Sequence, residues 1–170
     1  PETPPPSTSG TASMIEYLEA SYSKIDPLQT SFFRNGKRVD LLKAQMEQSQ
    51  DNNERLILNV KYAYELIAAG KNEQAIGEFE QILDFNNRAG TNPQFLFAIK
   101  KMLALAYVRL GETANCIDRF NAASCIMPIK GEGIYGLKEA SRSAIDLYEE
   151  LLVVRPDDYE MVWMLNFAYM

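Results

Sequence analysis

The chain has 170 residues, of which 46% are hydrophobic and 24% are charged. This composition is typical of one globular domain with a tail and is too apolar for an intrinsically disordered chain. Its net charge of −6 repels phosphate backbones, so we expect no nucleic-acid binding. It contains no histidine, which excludes Ser-His-Asp and Cys-His nucleophiles and His-ligated zinc or haem sites. We therefore expect no enzyme activity, no metal and no cofactor.

The first twelve residues, 1–12, hold four prolines and no large apolar residue. They predict a Pro-rich extended linker or tail, which acts either as a tether, for example to a membrane, or only as a frayed end. The chain begins with Pro1 rather than Met, which we interpret as processing or a cut. No apolar stretch reaches the ~18 residues of a membrane span, so no transmembrane segment is expected.

Residues 13–50 predict a group of N-terminal helices. Ser13 and Glu16 have the spacing of a capping box, and large apolar residues follow at helical intervals. Asn35 and Gly36 predict the end of a short turn, and a further helix is expected over about 37–48.

Residues 51–170 predict a longer helical array. Asp51 and Glu54 form a second capping box, which opens an amphipathic run through Ala69 that Gly70 closes. Asn92-Pro93 predicts the start of another helix. No segment alternates with period two for long enough to be a strand, so the predicted fold class is all-α.

The array shows internal repetition when Gly70 is aligned with Gly111. Leu-small-x-x-aromatic precedes Gly111, and a weaker copy, aromatic-small-x-x-Leu without a terminating Pro, precedes Gly70; a small residue and an aromatic four apart follow each glycine. The first two copies comprise Tyr62, Ala63, Leu66, Gly70, Ala75 and Phe79, then Leu103, Ala104, Tyr107, Gly111, Cys116, Phe120, Ala123 and Pro128. This spacing resembles the tetratricopeptide repeat, a helical hairpin stacked into an α-α superhelix. The alternative is a generic antiparallel helical bundle.

Two further partial copies follow. One is a second-helix pattern, Ala144, Tyr148, Leu151 and Pro156, and the other is a first-helix pattern, Leu165, Asn166 and Tyr169. The third repeat is therefore irregular, with its first helix missing or replaced by residues 128–137, and the array is expected to end in mid-repeat. Gly131 to Gly136 spell GxGxxG, but no strand precedes them, so we interpret them as a bend or an interaction loop rather than a nucleotide site.

The two cysteines, Cys116 and Cys125, lie nine residues apart and form no CxxC pair. On one helix they would be about 13 Å apart and on opposite faces, too far for a disulfide. We expect both to be reduced, shielded hydrophobes, with Cys116 in the contact between paired helices.

In such arrays the first helices line the concave side, and extrapolation along them predicts a surface suited to an extended or helical peptide. Its residues are Val60, Tyr64, Ile67, Lys101, Leu105, Val108, Arg109, Trp163 and Phe167. Tyr64 and Leu105 stand where a clamp for a C-terminal carboxylate would have Asn, so chaperone-tail binding is not expected. The alternatives are that some of these residues belong to the core or that another domain of the polypeptide covers the surface.

The segments 125–131, 143–151, 155–158 and 163–170 resemble the helical repeat region that precedes the FG-GAP β-propeller and ASPIC/UnbV domain of exported bacterial proteins. The resemblance covers about residues 40–170 and includes no propeller. It implies export to the periplasm or cell surface, or lipid anchoring, with the proline-rich start as the tether; the alternative is a cytoplasmic location. It carries no catalytic residues.

The sequence predicts a non-enzymatic module for protein interaction or assembly, whose partner is a protein or peptide. The alternative is a structural subunit or cap of a larger exported or membrane-associated complex. The segment from Tyr159 to Met170 is apolar on most sides. We therefore expect another chain, domain or copy to cover this C-terminal helix.

Overall fold

The computed structural model describes residues 10–29, 34–89, 92–117, 119, 121–124 and 126–170. Within these residues the fold is all-α and contains no strand, which confirms the predicted class. The α-helices are α1 (Gly10–Tyr22), α2 (Asn35–Gln48), α3 (Asn52–Ala68), α4 (Asn72–Ala89), α5 (Pro93–Glu112), α6 (Glu139–Val154) and α7 (Tyr159–Tyr169).

From α2 onward each helix packs against the next one in the chain. This consecutive packing is that of a helical-hairpin array like the tetratricopeptide repeat, with α3–α4 and α5–α6 as full hairpins. Contacts between α3 and α5 join the first helices of the two hairpins. α1 is outside this arrangement and buries no residue.

Several helix boundaries follow the predicted signals. The Asp51 side chain accepts hydrogen bonds from the backbone N–H groups of Asn53 and Glu54 at the start of α3. Asn92 caps α5 in the same way, with proline in its first turn. Gly70 ends the α3 segment with φ +74°, a conformation that costs glycine little.

The N-terminal region differs from the prediction in two places. α1 begins at Gly10, three residues before the predicted capping box, so residues 10–12 are helical rather than extended. Residues 1–9 of the predicted linker lie outside the described residues. α2 begins at Asn35 and includes Gly36, and the left-handed residue before it is Arg34, with φ 68°.

The predicted second helix after Gly111 is wrong. α5 continues through Gly111 to Glu112 and into one π-helical turn, Thr113–Ile117, and residues 121–124 and 126–130 form turns and bends. Phe120 and Cys125, which belonged to the predicted pattern, lie outside the described residues. The second helix of this hairpin is α6, which carries Ala144, Tyr148 and Leu151 in its buried face.

The close approach of α5 and α6 explains the small residue at position 111. A Cβ there would lie 3.2 Å from Ser141 Oγ and 3.8 Å from Ala140 Cβ, at the start of α6. Gly111 is therefore a packing residue rather than a turn residue.

The α5–α6 connection, residues 113–138, is held by hydrogen bonds of two asparagine side chains. Asn115 is buried, donates to the backbone oxygens of Gly111 and Leu137, and accepts from the Leu137 N–H at 2.9 Å. Asn121 donates to the Glu132 oxygen at 2.9 Å and accepts from the Ala123 N–H at 2.8 Å. The glycine-rich segment forms a short 3-10 turn, Gly131–Gly133, within this connection.

The apolar core has two parts that meet at α5. The first part is formed by α2, α3, α4 and α5, and the second by α5, α6 and α7. Phe79 and Leu66 are the largest fully buried residues of the first part together with Ile99, and Tyr148 and Met161 are those of the second. Burial raises the pKa of the Tyr148 hydroxyl, and the charge of Glu160 adds to this effect.

Candidate interaction groove

A groove of about 480 Å³ lies over α2, α3 and α5, on the side where the first helices meet. Its lining combines apolar side chains with charged and amphipathic ones. The lining residues are Leu28, Arg38, Leu42, Gln45, Leu58, Val60, Lys61, Tyr64, Glu65 and Met102. We call this site the α2–α3–α5 groove.

A buried ion pair fixes one wall of the groove. Arg38 Nε lies 2.9 Å from Glu65 Oε2, and the Glu65 side chain is only 5% exposed. Arg38 also donates through Nη1 to the Pro27 oxygen at 2.9 Å. This residue therefore joins α2 to α3 and holds the segment that carries Leu28 at the edge of the groove.

The other carboxylate oxygen of Glu65, Oε1, also lies in this wall of the groove. Glu65 Oε1 is buried and has no hydrogen-bond partner in the described structure. Leaving a buried hydrogen-bond acceptor unpaired costs about 1–3 kcal/mol of folding free energy. A rearrangement or a ligand that supplies a hydrogen-bond donor to this oxygen is therefore favoured.

Tyr64 is the large side chain that the groove presents to solvent. It is 53% exposed, although it lies between buried residues of α3. Lys61 precedes it by three positions, so both lie on one face of α3, and Lys61 has no ion pair among the described residues. Tyrosine combines an apolar ring with a hydroxyl and is enriched at binding hot spots.

The structure places the nine predicted residues in three settings. Val60 and Tyr64 line the α2–α3–α5 groove. Ile67 and Val108 are buried in the core, 8% and 5% exposed, so their assignment to a binding surface is wrong. α3 contacts α2, α4 and α5, and α5 contacts α3, α4 and α6. Each of these helices is therefore buried around more of its circumference than a helix that leaves one face free to line a groove.

Lys101 is half-buried and has a structural role. Its Nζ lies 2.8 Å from Glu160 Oε2 and 3.2 Å from Asp158 Oδ2, which ties α5 to the start of α7. Burial alone lowers the Lys101 pKa, but the hydrogen bonds and charges of Glu160 and Asp158 outweigh it, and the pKa is raised above its ordinary value. The positive charge of Lys101 is therefore already paired with Glu160 and Asp158.

The remaining predicted residues lie away from the groove lining. Trp163 and Phe167 stack on one another on α7, with ring centroids 5.9 Å apart, and Trp163 is 63% exposed. Arg109 is exposed and pairs with Glu112, and Leu105 is half-buried. None of these four residues lines the α2–α3–α5 groove.

Sequence reasoning missed the α2 side of the groove. Leu28, Arg38, Leu42 and Gln45 come from α2 and the segment before it, which lay outside the recognised repeats. The available signal was the charge pattern: Arg38 stands one position before the apolar Val39, and Glu65 one before Leu66. Charges placed beside core positions on neighbouring helices indicate a buried pair.

Cys116 does not occupy the predicted contact between paired helices. It lies in the π-helical turn, half-buried, with Sγ 3.5 Å from the Ser124 oxygen and 3.1 Å from Tyr135 Oη.

The residues that the structure describes contain no group of His, Cys, Asp and Glu side chains arranged to hold a metal ion.

None of the helices in the described part of the chain combines the length and apolar character that a membrane span requires. Comparison of the chain with profiles of known families, with curated proteins and with solved structures gives no match.

Proposed function

We propose that the protein is a non-enzymatic interaction module that binds a peptide segment of a partner protein in the α2–α3–α5 groove. The observation that carries this proposal is that a half-exposed tyrosine, Tyr64, lines the same groove as the apolar side chains of Leu42, Leu58 and Met102. Deep apolar grooves with an amphipathic aromatic at the edge are a common mode of helix and strand recognition.

The lining also indicates which peptides fit. The apolar part of the lining accepts a large aliphatic or aromatic side chain, and Lys61 stands beside Tyr64 without an acidic partner among the described residues. We therefore expect a peptide that places an acidic residue within a few positions of its apolar anchor. A basic peptide would be repelled by Lys61, because the two carry charges of the same sign.

The test is selection of peptides from a random library displayed against the full chain. We expect the selected peptides to bind Tyr64→Ala about thirtyfold or more weakly than the unchanged chain, the effect of losing a hot-spot residue. The matched control is Ile57→Ala, because Ile57 lies on the same helix, is 56% exposed and does not line the groove. Equal affinity for the unchanged chain and Tyr64→Ala, with both variants folded, would contradict the proposal.

A structural role in a larger complex is the second candidate. It is supported by the outer face of α7, where Tyr159 and Trp163 are 81% and 63% exposed. Exposed aromatics on an end helix are expected where another subunit packs. Loss of complex assembly in Trp163→Ala, with peptide binding at Tyr64 unaffected, would favour this candidate.

We further propose that the array belongs to the tetratricopeptide class and derives from an exported bacterial protein of the FG-GAP and ASPIC/UnbV type. The hairpin packing supports the repeat class, and the resemblance of segments 125–131, 143–151, 155–158 and 163–170 is the sole support for export. Fractionation of source cells tests the location: recovery in the cytoplasmic fraction would contradict export.

A further inference from the structure

α1 has a continuous apolar face that covers nothing in the described structure. Met14, Ile15, Tyr17, Leu18 and Tyr22 fall on one side of this helix by their spacing, and each is 40–68% exposed. Glu16 and Glu19 lie outside this face, and α1 contains no Lys or Arg. An isolated helix of 13 residues is marginal in water, so this one needs a surface to pack on.

α1 is held at the α2 end of the molecule. Arg34 Nη1 donates to the Tyr22 backbone oxygen at 2.7 Å, which fixes the end of α1 beside the start of α2. Among the described residues α1 has no extensive contact with another helix, and none of its own residues is buried. A surface at the α6–α7 end of the same copy lies beyond α2, α3, α4 and α5.

A second groove lies at that far end, between the α5–α6 connection, the first turns of α6 and the end of α7. Its volume is about 380 Å³. Ile134, Ile145, Ala168 and Met170 supply its apolar lining. We call it the α6–α7 groove.

The charged edge of the α6–α7 groove is mainly basic. Lys138 and Arg142 line it together with one acid, Asp146. Neither Lys138 nor Arg142 forms an ion pair in the part of the chain that the structure describes. An apolar floor with basic edges complements a helix that is apolar on one face and acidic elsewhere.

We propose that α1 of one copy docks in the α6–α7 groove of a second copy, and that the second copy returns the same contact. The exposed apolar face of α1 and the α6–α7 groove then cover each other, and Glu16 and Glu19 approach Lys138 and Arg142. The result is a closed dimer with two equivalent helix-in-groove contacts.

The area favours a reciprocal dimer over a single contact. At their observed exposure the five apolar side chains of α1 offer roughly 100 Å² each, so one contact covers at most about 500 Å² of the helix. This is below the ~800 Å² that each partner of a stable interface usually buries, and a reciprocal pair of contacts doubles the covered area. A lipid surface is the less suitable occupant, because an acidic helix without cations is repelled by anionic headgroups.

Sedimentation of the full chain over a wide range of concentrations tests the proposal. We expect a monomer–dimer equilibrium whose dissociation constant rises about thirtyfold or more in Leu18→Asp and in Arg142→Glu. Both residues are exposed, so neither change should unfold the array. Ala20→Asp adds the same charge on the far side of α1 and should leave the dissociation constant unchanged.

A mixture of the two variants provides an independent check. Leu18→Asp keeps an intact groove and Arg142→Glu keeps an intact α1, so the mixture retains one complete contact and should associate more strongly than either variant alone. A chain that stays monomeric at all concentrations would overturn the proposal. So would a dimer that is insensitive to Leu18→Asp, or growth beyond a dimer into longer assemblies.

Discussion

Gly133 shows at the scale of one residue how tightly the α5–α6 connection is packed. A Cβ at this position would lie 2.4 Å from the Ala123 backbone oxygen and 2.9 Å from its carbon, closer than real Cβ contacts allow. The neighbouring backbone therefore has to move if any other residue replaces this glycine.

We predict that Gly133→Ala destabilises the protein by about 1–3 kcal/mol, the usual cost of overpacking. Thermal unfolding followed by circular dichroism measures the change. Gly136→Ala is the matched control, because the nearest atom to its Cβ is 3.8 Å away in the Arg119 side chain. Equal melting temperatures for the two variants would contradict the prediction, because they would mean that the backbone of the connection moves at little cost in free energy.

At the scale of the helix, Asp158 combines two roles at the start of α7. Its Oδ1 accepts from the Met161 backbone N–H at 3.1 Å, and its Oδ2 faces Lys101 Nζ at 3.2 Å. The hydrogen bond from Met161 is the main cause that holds the Asp158 pKa below its ordinary value, and Lys101 contributes further. The first role is a cap, and the second is an ion pair.

Substitution can separate these roles. We predict that Asp158→Ala lowers the melting temperature more than Asp158→Asn, because asparagine keeps the capping acceptor and loses only the charge. Because the folded pKa is the lower one, the stabilisation by Asp158 is present above its unfolded pKa of about 4 and is lost as the pH falls through the folded pKa. Melting temperatures of the unchanged chain and of Asp158→Asn should therefore converge at low pH. A constant difference would mean that the charge is not involved.

The helices themselves illustrate what the sequence can predict. Asp51, Asn92 and Gly70 act locally, through hydrogen bonds or φ values within a few residues, and their positions were predictable. Gly111 was misassigned because its role is a long-range one: it allows α6 to approach α5. A glycine that ends a helix and a glycine that permits close packing look the same in a sequence.

The candidate site was predictable in part for the same reason. Val60 and Tyr64 follow from the periodicity of α3, whereas Ile67 and Val108 are buried because several helices surround them. Periodicity gives the direction of a side chain on its helix but not the number of helices around it. The α2 side of the groove depends on the Arg38–Glu65 pair, which joins residues 27 positions apart.

At the scale of the whole molecule, the two parts of the core differ in extent. Among the described residues, the part formed by α2 to α5 contains 14 buried apolar residues, and the part formed by α5 to α7 contains six. The free energy of local opening rises with the apolar area that an element buries. The α6–α7 pair should therefore be the weaker end of the array.

Hydrogen exchange measures this difference directly. We predict that backbone amides of α6 and α7 exchange faster than those of α3 and α4. In a series of denaturant concentrations, the amides of α6 and α7 should share one free energy of opening, which lies below that of global unfolding. Cooperative exchange of all helices from α2 to α7 with one free energy would contradict the prediction. The Leu18→Asp variant serves as a control that excludes protection by a second copy.

The α5–α6 connection also has a consequence for the order in which the chain folds. Residues 69–71 join α3 to α4, whereas residues 113–138 join α5 to α6. Closing the longer loop costs about 2 kcal/mol more in chain entropy, since that cost grows with the logarithm of loop length. The α2–α5 half can therefore assemble on the ribosome before α6 and α7 emerge. These two helices then dock onto a scaffold that is already folded.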